Sequence, residues 1–169
     1  MWSAVRGHFV KRKAGLQVVH LLIESGIRVD EDGRFYVGGA EITDVSLARA
    51  AGVDRRVVRD TASYILEDEE MKAIFMKLRP AGTSLVGVAS QLGYTVLKIN
   101  ADPHRSGILA GVSAVLAKHD LLVRQALADD PDLYPEPALT LVVEGHVPAV
   151  VVEDIGRLPY VSSITIFGQ

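Results

Sequence analysis

The chain contains no cysteine, which excludes disulfides, thiolate catalysis and zinc sites built on cysteine. No apolar run approaches the roughly 20 residues that cross a bilayer, and Met1-Trp2-Ser3-Ala4-Val5-Arg6 lacks the apolar core of a signal peptide. No membrane partner is therefore expected, and the expected location is the cytoplasm. A Gly-rich phosphate loop of the P-loop or dinucleotide type is missing as well; Gly33, Gly38 and Gly39 read as turn residues. There is no recognisable nucleophile elbow and no pair of carboxylates on a core-facing helix face. His8, His20, His119 and His146 are scattered without metal-ligand spacing, so no metal and no cofactor is expected, and an enzyme is the minority reading. Net positive charge is also lacking: the formal charge is −3, so any DNA-binding surface has to be a local patch.

What remains is 169 residues, 49% hydrophobic and 23% charged, enough to bury a core and patterned as two small domains. Val5 to Ser25 reads as one helix with a basic beginning (Arg6, Lys11, Arg12, Lys13) and an apolar end (Leu16, Val19, Leu22, Ile23), closed by Gly26. Ile27-Arg28-Val29 and Arg34-Phe35-Tyr36-Val37 flank Asp30-Glu31-Asp32-Gly33, a hairpin signal ended by Gly38-Gly39. A small sheet packed beside helices is preferred for it over a DNA-touching wing.

Thr43 or Asp44 can cap a short helix from Val45 to Ala51 that stops at Gly52. Asp54 can cap a second, from Arg55 to about Leu66. Ala48 where two helices would cross, Gly52 in the turn, and Leu47, Ala51, Val53 and Val58 gripping a core satisfy the needs of a helix-turn-helix. Residues 44–63, DVSLARAAGVDRRVVRDTAS, resemble the helix-turn-helix of bacterial and archaeal transcription regulators, with one departure at Thr61, where a larger aliphatic residue is more usual. On the second helix Val57, Val58, Ala62, Ile65 and Leu66 form the inner stripe, leaving Arg55, Arg56, Arg59 and Ser63 outside. These, with Ser46, are the candidate DNA contacts, since arginine there grips phosphates or reads guanine. The bland alternative is a solvated face on which Asp54 and Asp60 pair with the arginines. The run Glu67-Asp68-Glu69-Glu70 reads as a solvated helix end.

Met71, Ile74, Phe75 and Leu78 continue a helical spacing until Arg79-Pro80-Ala81-Gly82, the expected boundary. Thr83 or Ser84 can cap a further helix with Leu85, Val88, Ala89 and Leu92 inward. Beyond Tyr94 the pattern becomes mixed: a strand Thr95 to Ala101, a helix carrying Ile108, Val112, Val115 and Leu116, and a strand Leu121 to Leu127. A Pro- and Asp-rich connection follows, then a strand Ala138 to Glu144, a helix opened by Pro148 with Val151, Ile155 and Leu158 on one side, and a strand Val161 to Phe167. That order is a split βαβ arrangement.

Within it, Asp102-Pro103-His104-Arg105-Ser106-Gly107-Ile108-Leu109 and His119-Asp120-Leu121-Leu122-Val123 resemble the ACT domain, a small module that binds amino acids in many enzymes and regulators. Agreement is good at Arg105, Gly107 and Leu109; Ser106 replaces the usual proline and Leu122 a frequent asparagine. The resemblance places Asp102 and His104 where amino-acid-binding members present polar side chains. Asp102 is the candidate acceptor for a ligand ammonium. Backbone N–H groups near Gly107 to Leu109, with Arg105 or Arg124, are the candidate donors to its carboxylate. Ser106 and Ile108 complete the loop, and Gly111 would allow ligand or a partner subunit to approach; the alternative is that Gly111 allows helix packing and Arg124 pairs across strands.

The expectation is thus an α+β protein: a helical helix-turn-helix domain with a small β-hairpin over 1–79, a linker helix over 80–93, and a C-terminal ferredoxin-like βαββαβ (ACT) domain over 94–169. In that order the chain resembles the archaeal predicted regulators of amino-acid metabolism. The resemblance implies a homodimeric or higher homo-oligomeric, ligand-responsive transcription regulator with DNA as partner and a free amino acid as effector. A regulatory subunit that binds an amino-acid biosynthetic enzyme without touching DNA is the alternative, and a small catalytic domain using Asp102 and His104 is a third.

Overall fold

Gly15, Val18, Val19 and Leu22 recur at helical spacing and are all buried along α2 (Lys13–Ser25), so this helix has one core-facing stripe. The computed structural model describes residues 2–168 and divides the chain into two units, Met1–Thr83 and Ser84–Gln169. The whole is mixed α+β with two antiparallel sheets. Among the described residues no helix is long and apolar enough to cross a membrane.

The first unit begins with two helices where one was expected. α1 (Trp2–His8) and α2 are separated by an elbow at Phe9 to Arg12. The cause is Phe9, which turns fully inward and meets the Tyr64 ring edge-on at 5.2 Å. The burial of an aromatic side chain outweighs the few hydrogen bonds that a continuous helix would keep. α2 stops at Gly26, whose φ of 62° lets its own N–H and that of Ile27 close back on Ile23 and Leu22 carbonyls.

The small sheet has three strands, not the two expected: β1 (Arg28–Val29), β2 (Phe35–Val37) and β3 (Ala40–Ile42), in that order. Gly38-Gly39 does not end the hairpin; it is the two-residue turn into β3, with Val37 opposite Ala40. α3 (Asp44–Ala51) starts where Thr43 accepts from the Ser46 N–H and stops at Gly52, φ 67°. α4 (Arg55–Glu67) starts where Asp54 accepts from the Arg56 N–H. It buries Val58, Thr61, Ala62 and Ile65. The acidic run is a break and not merely a solvated end: Asp68 leaves helical geometry and accepts from the Met71 N–H, capping α5 (Glu69–Phe75), while the His8 imidazole lies 3.2 Å from its carboxylate.

In the second unit β4 (Tyr94–Ala101), α6 (Ile108–Lys118), β5 (Val123–Ala128), β6 (Ala138–Glu144), α7 (Ala149–Gly156) and β7 (Val161–Phe167) follow one another. The four strands lie in the order β5-β6-β4-β7, all antiparallel. Leu97 and Ile99 of β4 and Leu139, Leu141 and Val143 of β6 point to the face covered by Val112, Val115 and Leu116 of α6 and Val151 and Ile155 of α7. Alternation sends Val96 and Val142 to the other face, under Leu85 and Ala89. The segment carrying those two residues is not the α-helix expected there but two 3-10 turns, Val86–Val88 and Ser90–Leu92. Gly87 weakens an α-helix at its middle. Leu85 is instead tied to the sheet by its N–H donating to Gln125 Oε1 at 2.8 Å, and Val88 and Leu92, expected inward, are about half exposed.

Gly26 has positive φ, and a Cβ there would overlap the Arg79–Pro80 backbone. Gly26→Ala is expected to lower the unfolding free energy by at least about 2 kcal/mol, measured by urea titration, because left-handed strain adds to a clash with backbone that cannot give way.

Candidate functional site

Two surfaces, one in each unit, carry the side chains of interest. On the first, Arg55, Arg56, Arg59, Ser63 and Ser46 are all exposed. The caps at Thr43 and Asp54 and the left-handed Gly52 set α4 against α3, and Val53 closes the turn by donating to the Ala48 carbonyl at 2.9 Å. Arg59 is not paired by Asp54 or Asp60, as one reading of the sequence had it; its Nε donates to Asp44 Oδ2 at 2.7 Å. At 60% exposure for the Arg59 side chain, that pair is worth only about 0–1 kcal/mol, so Arg59 can exchange Asp44 for another anion at little cost. Ser46 Oγ is 3.0 Å from Thr43 Oγ1, inside the cap. Among the described residues the Arg55 and Arg56 guanidinium groups have no ion-pair partner. Thr61, the departure from the usual pattern, is buried and its hydroxyl donates to the Val57 carbonyl at 2.7 Å. Its Oγ1 would lie 3.2 Å from a Cβ built on Gly15, so α2 leaves little room for a bulkier side chain at that position.

The second surface is the loop between β4 and α6. Asp102 Oδ1 accepts from the His104 N–H at 3.1 Å, and the Asp102 carbonyl accepts from the Arg105 N–H at 3.1 Å. Gly107 at φ 88° turns the chain into α6 with no side-chain cap, so the first-turn N–H groups after it are presented outward. Asp102, His104, Arg105, Ser106, Gly107 and Leu109 are exposed, and Ile108 and Gly111 are half-buried. The loop has a hollow on each side. One is formed by Asp102 and Arg105 with Tyr160 and Ser162. The other is apolar, with Ile108 and Leu109 facing Ile99, Pro131, Pro137 and Leu139.

Tyr160 was not singled out in the sequence, yet it holds this loop. Its carbonyl accepts from the Asp102 N–H at 3.2 Å, and its hydroxyl donates to the Gly107 carbonyl at 3.4 Å. The same hydroxyl fills the space beside Gly111, so Gly111 admits an internal side chain there, not a ligand or a partner subunit. Nor do the structure's distances gather Arg124 into this site. Arg124 lies 3.5 Å from Glu144 Oε2 and 5.7 Å above the Tyr94 ring. Tyr94 begins the eight-residue β4 and Asp102 follows its end, which at about 3.3 Å per residue separates the two groups by some 25 Å. His119 pairs with Asp154 at 3.4 Å, and His20 with Glu24 at 3.7 Å.

No protein-family model matches the chain, and no curated protein matches it. One local consequence is testable by melting. Gly111→Ala is expected to lower Tm in the otherwise native chain, because the new methyl displaces the Tyr160 hydroxyl. In a Tyr160→Ala background the same change is expected to raise Tm, since alanine exceeds glycine in helix propensity by about 1 kcal/mol. The same sign in both backgrounds would contradict the packing described.

Proposed function

We propose that this protein is a ligand-responsive transcription regulator, binding DNA through α3 and α4 and sensing an amino acid through its second unit. The observation that carries the reading is the outer stripe of α4. Arg55 and Arg56 stand exposed and, among the described residues, without ion pairs on a capped helix whose other stripe is buried. Arginine left unpaired on such a helix suits the phosphates and guanine edges of a major groove. Two capped helices joined at a left-handed glycine support a helix-turn-helix. The strand order β5-β6-β4-β7 with both helices on one face supports a ferredoxin-like unit of the ACT kind. Asp102 and Arg105, flanking one hollow beside the uncapped start of α6, offer an acceptor for an ammonium and donors for a carboxylate. The chain would act as a homodimer on two half-sites, as such DNA readers commonly do. A bound amino acid would change the spacing of the paired α4 helices only by its different affinity for the two dimer geometries.

Selection from a random duplex pool at low salt, followed by anisotropy titration, tests the DNA reading. Binding should weaken steeply with added salt, and Arg55→Ala or Arg56→Ala should each cost about 1–3 kcal/mol if the side chain reads a base. No binding at low salt ends this reading in favour of a subunit that regulates an enzyme by protein contact. For the effector, the twenty amino acids are screened by thermal shift. One of them should raise Tm, and Asp102→Ala should abolish that rise; no shift with any of them removes the sensing function.

A further inference from the structure

The elbow between α1 and α2, with the first residue of α2, carries Lys11, Arg12 and Lys13 in succession, all exposed. It runs beside α4, and the groove between them is lined by these three cations with Val57, Asp60 and Thr61. Three cations face one carboxylate, so the groove is net positive even though the chain as a whole is not. Arg12 is held in place: its guanidinium carbon sits 4.3 Å from the centre of the Tyr64 ring, a stacking arrangement that leaves its N–H edge free to donate. Among the described residues Lys11 and Lys13 have no ion-pair partner.

Position along α4 gives this patch its meaning. At roughly 100° per residue, Arg56 and Ser63 share the middle of the exposed stripe. Arg59 lies to one side, where it meets Asp44 of α3. Asp60 and Val57 lie to the other, where the elbow passes. The outer stripe of α4 is thus bordered by α3 on one flank and by three cations on the other. A helix seated in a major groove has a sugar-phosphate backbone along each of its flanks.

We propose that the α1–α2 elbow is a phosphate clamp, in which Lys11, Arg12 and Lys13 grip one DNA backbone while α4 occupies the groove. The clamp rests on the DNA-binding reading above and extends it to a segment outside the two-helix motif. The elbow's contacts are to phosphate, so they add affinity and salt dependence without sequence preference.

The full chain is titrated against a labelled random-sequence duplex over about 50–200 mM salt. Lys11→Ala/Lys13→Ala is expected to reduce the slope of log affinity against log salt by about two. It should weaken binding by the same factor for every duplex sequence and leave Tm unchanged. Lys11→Arg/Lys13→Arg should keep the native slope. If the alanine variant binds like the native chain while Arg56→Ala binds weakly, the clamp is wrong and the DNA reading stands. If the native chain binds no duplex at low salt, both are wrong; binding instead to anionic lipid vesicles, lost in the alanine variant, would assign the elbow to a membrane surface.

Discussion

The close approach of α2 to α4 at Gly15 and Thr61 is the contact on which the first unit's surface depends. A methyl at Gly15 would stand 3.2 Å from both the Thr61 hydroxyl and the Phe9 ring, so the helices meet almost backbone to side chain. Thr61 tolerates burial because its hydroxyl already has a partner in its own helix, the Val57 carbonyl. Once Thr61 is pressed on Gly15, the rotation of α4 about its axis is set. Val58, Ala62 and Ile65 go inward, and Arg56 and Ser63 can only go outward. Phe9, drawn in against Tyr64, packs beside this contact and bends the chain at the elbow, which is how Lys11, Arg12 and Lys13 come to lie along α4.

The second unit depends in a comparable way on its central strand. β4 is paired on both sides, with Leu97 between Leu141 and Ile166, so its end is a rigid place from which to launch a loop. Tyr160, just before β7, then ties that loop at two points, the Asp102 N–H and the Gly107 carbonyl. The loop is therefore braced although most of it is exposed. Asp102 spends one carboxylate oxygen on its own turn, which leaves the other for the proposed ammonium. Because Arg124 is anchored to Glu144 at the far end of β4, Arg105 and the first turn of α6 are the donors that remain near Asp102.

Some of this was readable in the order of residues. The cap residues Thr43 and Asp54, the glycine stops at positions 26 and 52, and the apolar spacing of α4 and α6 are local signals, and the helices form where those signals stand. Alternation in residues 95–101 and 161–167 likewise marked two strands. Local reasoning failed where a distant contact overrode it. The bend at Phe9 comes from Tyr64 and the 3-10 turns after Leu85 from the sheet beneath them; the break at Asp68 is local, a cap on the Met71 N–H that competes with helix continuation. Gly38-Gly39 signals a turn as well as an end, and the three-residue β3 behind it is too short to show which.

The sequence by itself determined the bodies of α2, α3, α4 and α6, the four strands of the second unit and which stripe of α4 is basic, since periodicity and capping act within one or two turns of chain. Tertiary structure alone decided which charges are free. Arg59 found an exposed, exchangeable partner in Asp44, fifteen residues away, and Gly111 lost its open face to Tyr160. Arg124 was placed at the opposite end of a strand from the loop it was expected to serve. Such outcomes depend on which side chains packing brings within a few ångströms, and residues far apart in the chain carry no local signal of that distance.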